Sequence, residues 1–228
     1  MRRGALYLRI GTPRRHRSAG RSLRRVRGNP FPVRQAGPVD PDLEALALLN
    51  SHLAAALGEV SADNFGWSTP CADWDLADLV DHVVGGNWFT TRILGGQTAD
   101  VALTEVMSRF ETGSVSINDA TASVRDQSSA FAQPGTLERT WDHVAGELTG
   151  REVLRLRLHD LIIHTWDIQQ TLNPPAELPD ALVEWGLSEL DHSGSLAAEH
   201  FGIPPSDVAR ESATDRAMTY LRCFGRKL

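Results

Sequence analysis

Residues 151–172 read REVLRLRLHDLIIHTWDIQQTL and run into the sequence Asn-Pro-Pro at 173–175, which cannot continue a helix. At 100° of rotation per residue, apolar side chains cover most of the circumference of the predicted helix. The polar side chains share one arc of about 80°: Arg157, Asp160, His164, Asp167 and Thr171. A helix that is apolar nearly all round, with one polar stripe, is typical of the interior of a helical bundle.

Helical apolar spacing recurs on both sides of this stretch. Asp75, followed three residues later by Asp78, predicts a capping-box-like helix start, and Gly95 predicts its end. The predicted helices cover about 40–58, 75–94, 114–132, 151–172 and 182–200, and a last segment covers 214–224. Residues 136–147 are expected to form either a short hairpin or an ordered loop. The pattern predicts an all-α chain: an antiparallel four-helix bundle with additional C-terminal helices.

The charge of the chain is divided unevenly. The 228 residues carry a formal net charge of −6, yet the eleven arginines that precede Asp40 are accompanied by no acidic residue. The remaining residues hold 12 basic against 29 acidic side chains, a balance of −17. We therefore expect two parts: an Arg-rich leader at 1–38 without a core of its own, and a helical bundle domain at 39–228.

The leader has three competing interpretations. A nucleic-acid arm would use its charge, but Tyr7 and Phe31 are its only aromatic residues. A transit peptide is also Arg-rich and poor in acidic residues, but it is normally richer in serine. The favoured hypothesis is that native translation starts later, at Val33 or Val39, so that the leader is absent from the native protein. An acidic bundle is not expected to bind nucleic acid.

Two cysteines, Cys71 and Cys223, give no disulfide framework, and no run approaches the roughly 18 apolar residues of a membrane-spanning helix. We therefore expect a cytoplasmic protein without a membrane partner.

Asp160 and His164 are four residues apart, which places a carboxylate and an imidazole on one helix face, where both can bind one metal ion. A third ligand must come from another helix, and His82 is the candidate in the predicted helix 75–94. Three protein ligands leave a coordination position for water or substrate, as in catalytic sites of zinc, nickel, iron or cobalt.

Simpler interpretations stand beside this one. The stripe is also what the solvent face of a helix looks like. Asp167 is either a hydrogen-bond acceptor that orients His164 or an exposed residue, and Asp78 is better explained by the helix cap. Cys71 is either a reactive thiol near the site or a small buried residue.

The motifs together resemble a known family. The segment Thr69-Pro70-Cys71, Trp74 and Asp78 through Val83 is similar to the signature of the mycothiol-dependent maleylpyruvate isomerase N-terminal domain, which belongs to the DinB-like bundle superfamily. The run from Leu158 to Ile168 resembles the second metal motif of that family. The stretch from Asp215 to Arg226 is similar to the close of an uncharacterised short subfamily. The isomerase that gives the family its name has a glutamate as the acidic ligand, where this chain has Asp160.

The resemblance implies a bundle that binds a divalent metal, often zinc, through His82, Asp160 and His164. It implies a metal-dependent enzyme that uses a low-molecular-weight thiol such as mycothiol as cosubstrate on a small organic substrate, in transfer, isomerisation or hydrolysis. Arg157 would then anchor a substrate carboxylate, while Asp167 and Asp78 would support the ligands. The alternatives are a non-catalytic metal-, thiol- or partner-binding module and a metal-free bundle.

Overall fold

The computed structural model describes residues 40–111, 113, 115–191, 195–203 and 216–226. The predicted leader at 1–38 and the proposed start at Val39 lie outside these residues. The described residues form eight helices and one two-stranded hairpin. In chain order the elements are α1 (Pro41–Gly58), α2 (Leu76–Leu94), α3 (Ala99–Phe110), α4 (Ile117–Phe131), β1 (Thr140–His143), β2 (Gly146–Thr149), α5 (Gly150–Leu172), α6 (Asp180–Leu190), α7 (Leu196–Phe201) and α8 (Arg216–Cys223).

Four helices, α1, α2, α4 and α5, make the bundle. Both α1 and α2 pack on α4 and on α5, so the four helices enclose one apolar core. Leucine, isoleucine and valine fill that core, and α5 is buried on nearly every face from Val153 to Ile168. The predicted helical bundle with additional C-terminal helices is confirmed.

Side-chain caps explain where the bundle helices begin. Asp40 accepts a hydrogen bond from a backbone amide of the first turn of α1. The predicted capping box of α2 is present, with Asp75 and Asp78 each accepting a backbone hydrogen bond from the other. Thr149 and Glu152 form a second capping box at the start of α5. Each box satisfies amide donors that the helix itself leaves unpaired, which fixes the first turn.

The structure corrects the sequence prediction at two places. Helix α3 was not predicted, since two of its four buried positions are alanines and its apolar stripe is thin. The single helix predicted over 182–200 is wrong: α6 ends at Leu190, and α7 begins after Ser195, whose side chain caps the new helix. The helix predicted over 114–132 is α4, which begins after its cap residue Ser116.

Residues 140–149 form a hairpin, which decides between the two alternatives predicted for this region. Thr140 pairs with Thr149 and His143 with Gly146, where a positive φ of 116° turns the chain. The second strand leads directly into α5. A side chain at Gly150 would collide with the backbone oxygen of Thr136, so glycine permits this close entry into the helix.

The C-terminal helices pack against the outside of the bundle. Helix α6 contacts α1 and α8, and α7 contacts α5. The buried Asp42 of α1 accepts hydrogen bonds from Arg151 and Arg155 of α5 and from the indole of Trp185 in α6. No helix in the described part of the chain is long and apolar enough to cross a membrane.

Candidate functional site

The structure brings together the three residues predicted as metal ligands. His82 comes from α2, and Asp160 and His164 come from successive turns of α5. Oδ1 of Asp160 lies 3.3 Å from Nε2 of His82 and 3.4 Å from Nε2 of His164. The two imidazole rings are 4.8 Å apart and nearly perpendicular. Two histidines and one carboxylate therefore direct donor atoms at one point between facing helices.

The polar stripe of α5 does not face solvent. Arg157 is 8% exposed, His164 9% and Asp167 0%. The interpretation of the stripe as an ordinary solvated helix face is therefore wrong. Burying ionisable groups costs free energy unless each group has a hydrogen-bond or ion-pair partner. The partners of these side chains therefore determine whether the site is stable.

Arg157 is the partner of Asp160. Its Nη1 donates to Oδ2 of Asp160, and its Nη2 donates to the carbonyl of Val83 at 2.6 Å and to the amide oxygen of Asn87 at 2.9 Å. Its Nε donates to Gln127 in α4 at 3.1 Å. These buried bonds commit the guanidinium to the protein, which favours a role in positioning Asp160 over the expected role as a substrate anchor.

Gly86 makes room for that guanidinium. A Cβ atom at this position of α2 would lie 2.5 Å from Cζ and 2.7 Å from Nη2 of Arg157. A glycine inside a helix costs about 1 kcal/mol relative to alanine. Here the missing side chain lets the Arg157 guanidinium lie against α2, where it contacts Val83 and Asn87 while it pairs with Asp160.

Asp167 is the partner of His164. Its Oδ2 lies 3.0 Å from Nδ1 of His164, so the ring nitrogen that faces away from the predicted ligand cluster is held by a carboxylate. Arg226, three residues beyond the end of α8, donates to both oxygens of Asp167, through Nε at 2.9 Å and through Nη2. Of the two alternatives given for Asp167, the exposed residue is wrong, and the carboxylate lies within hydrogen-bond distance of His164. A carboxylate in this position fixes the orientation and tautomer of a metal-binding histidine.

The loop before α2 covers the cluster. Hydrogen bonds from the Thr69 hydroxyl to the carbonyl of Trp74 and from the Cys71 amide to that hydroxyl hold the loop in shape. The Trp74 ring lies 4.8 Å from that of His82 and 5.8 Å from that of His164. Sγ of Cys71 lies 3.1 Å from Oδ2 of Asp167. Two residues of the first motif, Cys71 and Trp74, therefore border the candidate site.

Burial and charge set the protonation of the three residues. Burial lowers the pKa of His82 below its ordinary value, although Asp160 opposes this, so its ring is neutral. Burial alone would raise the pKa of Asp160, but Arg157 and the two histidines hold that pKa well below its ordinary value. Burial would lower the pKa of His164, but Asp160 raises that pKa well above its ordinary value. The cluster therefore combines an ionised Asp160 carboxylate, a neutral His82 imidazole and a protonated His164 imidazole, whose proton a metal ion would have to displace.

Other residues considered from the sequence lie elsewhere. The side chain of Asp78 accepts the backbone amide of Asp75 in the cap of α2. His159 is fully buried on another face of α5, where Nδ1 lies 2.7 Å from the Tyr220 hydroxyl and Nε2 lies 2.8 Å from Glu189.

The donor geometry suits a small divalent cation. Tetrahedral zinc with bonds of about 2.1 Å places neighbouring ligand atoms about 3.4 Å apart. Oδ1 of Asp160 lies 3.3 Å and 3.4 Å from the two imidazole nitrogens, and all three donor atoms lie within 4.8 Å of one another. Imidazole nitrogens with a carboxylate oxygen form a donor set that zinc accepts. The residues present therefore fit such an ion.

Several members of the site were not found by sequence reasoning. Asn87 and Gln127 are fully buried amides on the bundle helices, and Arg226 reaches the site from a distant part of the chain. The available signal was a polar residue within an apolar helical stripe, which marks Asn87 next to Gly86. Nothing in the spacing of residues connects Arg226 to Asp167.

Comparison with known proteins agrees with the fold and the motifs. Residues 46–169, just over half of the chain and including all three candidate ligands, match the family model for the mycothiol maleylpyruvate isomerase N-terminal domain. Two uncharacterised proteins of Mycobacterium tuberculosis, from strain CDC 1551 / Oshkosh and strain ATCC 25618 / H37Rv, are each 33% identical over 164 residues. The matched region covers 72% of this chain and 83% of each relative.

Two solved structures share the fold. A crystal structure of the mycothiol-dependent maleylpyruvate isomerase superposes with a TM-score of 0.52, and that of a histidine-to-alanine mutant of the enzyme with 0.53. Each is 18% identical and covers 68% of this chain and 69% of the other. At this identity the likeness concerns the fold alone. The match of the family model and the identity to the mycobacterial relatives show that the chain belongs to the mycothiol maleylpyruvate isomerase N-terminal domain family.

Proposed function

We propose that this protein is a divalent-metal-dependent enzyme that acts with a low-molecular-weight thiol, mycothiol in the first instance, on a small organic substrate. The reaction class is transfer, isomerisation or hydrolysis. The observation that carries the proposal is the convergence of His82, Asp160 and His164 on one point inside the bundle. Membership of a family named after a mycothiol-dependent isomerase supports the thiol as cosubstrate.

Each proposed ligand is prepared by a neighbour. Arg157 holds Asp160 ionised and aimed at the two imidazoles. Burial keeps His82 neutral, so that a ring nitrogen has its lone pair available to a cation. Asp167 holds the far nitrogen of His164. A bound divalent cation would supply Lewis acidity, which lowers the pKa of a coordinated thiol or water and makes it a nucleophile at neutral pH.

The cluster is accessible to a small molecule. Side-chain exposure is 18% for His82, 19% for Asp160 and 11% for His164, so one edge of the cluster meets solvent while its supports are buried. Trp74 lies beside both histidines at this edge. An aromatic wall next to a partly open cation site suits the binding of a small organic substrate and a thiol.

A catalytic site fits the ligand number better than a structural one. Structural zinc sites are usually closed by four protein ligands, whereas catalytic sites keep a position open. Among the residues that the structure describes, the donor group around Asp160 contains three ligands. Asp78 is the fourth ligand considered for a non-catalytic module. Its side chain instead accepts a hydrogen bond from the backbone amide of Asp75 in the helix cap. We propose zinc as the metal, since two imidazoles and one carboxylate make a donor set that it accepts readily.

A thermal-unfolding series tests the cosubstrate. Metal-free protein, protein loaded with Zn²⁺ and the His164→Ala variant are each heated with and without mycothiol. Mycothiol at 100 times its Kd is expected to stabilise the loaded protein by about 2.7 kcal/mol and to leave the other two unchanged. An equal shift in the metal-free protein would contradict metal-held thiol binding. Thiol-dependent turnover, lost in His164→Ala, is the corresponding activity measurement.

A further inference from the structure

The last described residues of the chain contact the candidate metal site from outside the bundle. Arg226 forms a two-point ion pair with Asp167, donating from Nε to Oδ1 at 2.9 Å and from Nη2 to Oδ2. Asp167 has no exposed surface, and its Oδ2 lies 3.0 Å from Nδ1 of His164. A bidentate arginine fixes the plane of a carboxylate as well as its charge. The orientation of the His164 ring is thus linked through one carboxylate to Arg226.

Helix α8 delivers Arg226 to that position. Its Tyr220 is fully buried, and the hydroxyl lies 2.7 Å from Nδ1 of His159, the neighbour of Asp160 in α5. Gly186 of α6 allows the approach, because a Cβ atom there would lie 2.8 Å from Cζ of the Tyr220 ring. A positive φ of 77° at Gly225 then turns the chain, and Nη1 of Arg226 donates to the carbonyl of Phe224 at 2.7 Å. The segment 216–226 is therefore held at Tyr220, beside the neighbour of Asp160, and at Arg226, beside the partner of His164.

The same guanidinium also contacts the loop that covers the site. Nη2 of Arg226 lies 3.4 Å from Sγ of Cys71, and this sulfur donates to Oδ2 of Asp167 at 3.1 Å. Arg226 thus places a permanent positive charge against both oxygens of a carboxylate that has no exposed surface. Without it, Asp167 would have weaker partners and more rotational freedom.

We propose that Arg226 is a positioning residue for His164, and that docking of the segment 216–226 is thermodynamically coupled to metal binding at His82, Asp160 and His164. The inference rests on the proposed function. Residues that hold a metal-binding histidine through its second nitrogen change metal affinity by about 10–100-fold when lost, and Arg226 acts one contact further out, so we expect about tenfold. Coupling is reciprocal, so bound metal should stabilise the docked segment by the same factor.

Two measurements on the full chain test the coupling. The Kd for Zn²⁺ is determined by competition with a chromophoric chelator for wild type, Arg226→Gln and Arg226→Lys. The control is Arg222→Gln, which removes an exposed arginine of the same segment. Amide hydrogen exchange over 216–226 is followed with and without Zn²⁺. We expect Arg226→Gln to bind Zn²⁺ about tenfold more weakly, Arg226→Lys to recover part of that loss, and Arg222→Gln to match wild type. Zn²⁺ should slow exchange over 216–226 by up to about tenfold in wild type but not in Arg226→Gln.

The outcomes separate this inference from the proposed function. A wild-type chain that takes up no metal overturns both. A wild-type chain that binds one Zn²⁺ while Arg226→Gln binds it equally well overturns the coupling alone. So does bound Zn²⁺ that leaves exchange over 216–226 unchanged in wild type, a result that needs no variant to fold.

Discussion

Replacement of Gly86 by alanine tests whether Arg157 positions Asp160. Alanine is normally the better helix residue, and in an open helix interior the change stabilises by about 1 kcal/mol. Here the new Cβ would lie 2.5 Å from Cζ and 2.7 Å from Nη2 of Arg157, so the guanidinium must move. Because it is buried and bonded to Val83, Asn87, Gln127 and Asp160, moving it breaks bonds that water cannot replace.

The magnitude follows from those bonds. A hydrogen bond to a charged group contributes about 1.5–3 kcal/mol, so a shift that gives up two of them costs about 3–6 kcal/mol. After subtraction of the helix-propensity gain, Gly86→Ala should destabilise the protein by about 2–5 kcal/mol. Zn²⁺ affinity should fall as well, because Asp160 loses the partner that aims it.

Chemical denaturation in the presence of a chelator gives the free energy of unfolding, and a Zn²⁺ titration gives the affinity. Gly58→Ala is the matched control, since Gly58 ends α1 and a Cβ there would meet nothing within 4 Å. We expect that control to be neutral or slightly stabilising. A Gly86→Ala variant as stable as wild type would refute the packing argument. A destabilised variant with unchanged affinity would refute the role of Arg157 at the site.

Two further predictions concern groups outside the ligand cluster. Burial, with a smaller effect of His200, lowers the pKa of His143 to about 4, so the unfolded chain binds more protons than the folded one between pH 4 and 6.5. The free energy of unfolding therefore decreases as the pH falls through that window. Between pH 7.5 and pH 5, measured by denaturation, His143→Asn should lose up to about 2 kcal/mol less of this free energy than wild type. Equal losses in the two proteins would contradict the lowered pKa of His143. Tyr220→Phe removes the hydroxyl beside His159 and should cost about 1–3 kcal/mol in the same assay, whereas a negligible change would show that this buried bond contributes little.

Local sequence signals were sufficient for the bundle helices. Helix α2 begins after Asp75 and ends at Leu94. The capping box predicted this beginning, and the glycines after Leu94 predicted this end. Helix α5 ends at Leu172, before the two prolines. These signals are local in the chain, because caps and breakers act on the backbone within one turn. Helix α3 lacked such a signal, since its N-cap residue, Thr98, makes no side-chain hydrogen bond to the helix.

The candidate site was only partly accessible to the same reasoning. The spacing of Asp160 and His164 follows from helical geometry, the predicted helix 75–94 offered His82 as the third candidate, and the family resemblance implied the same three residues. The supports of these residues follow from tertiary packing: Arg226 is 59 residues from Asp167, and Gln127 is 30 residues from Arg157. The expectation that Arg157 anchors a substrate placed it on the correct face of α5, but its partners on α2 and α4 could be known only from the fold.

Metal stoichiometry tests the central claim most directly. Three purified proteins are compared: wild type, His164→Ala and the control His52→Ala, which changes a histidine of α1 outside the cluster. Each protein is loaded with Zn²⁺ and dialysed to remove the excess. The bound metal is then measured by elemental mass spectrometry. We predict one Zn²⁺ per chain for wild type and His52→Ala, and a small fraction of one for His164→Ala. A wild-type chain that retains no metal, or a His164→Ala variant that retains a full equivalent, would contradict the assignment of His82, Asp160 and His164 as the metal ligands.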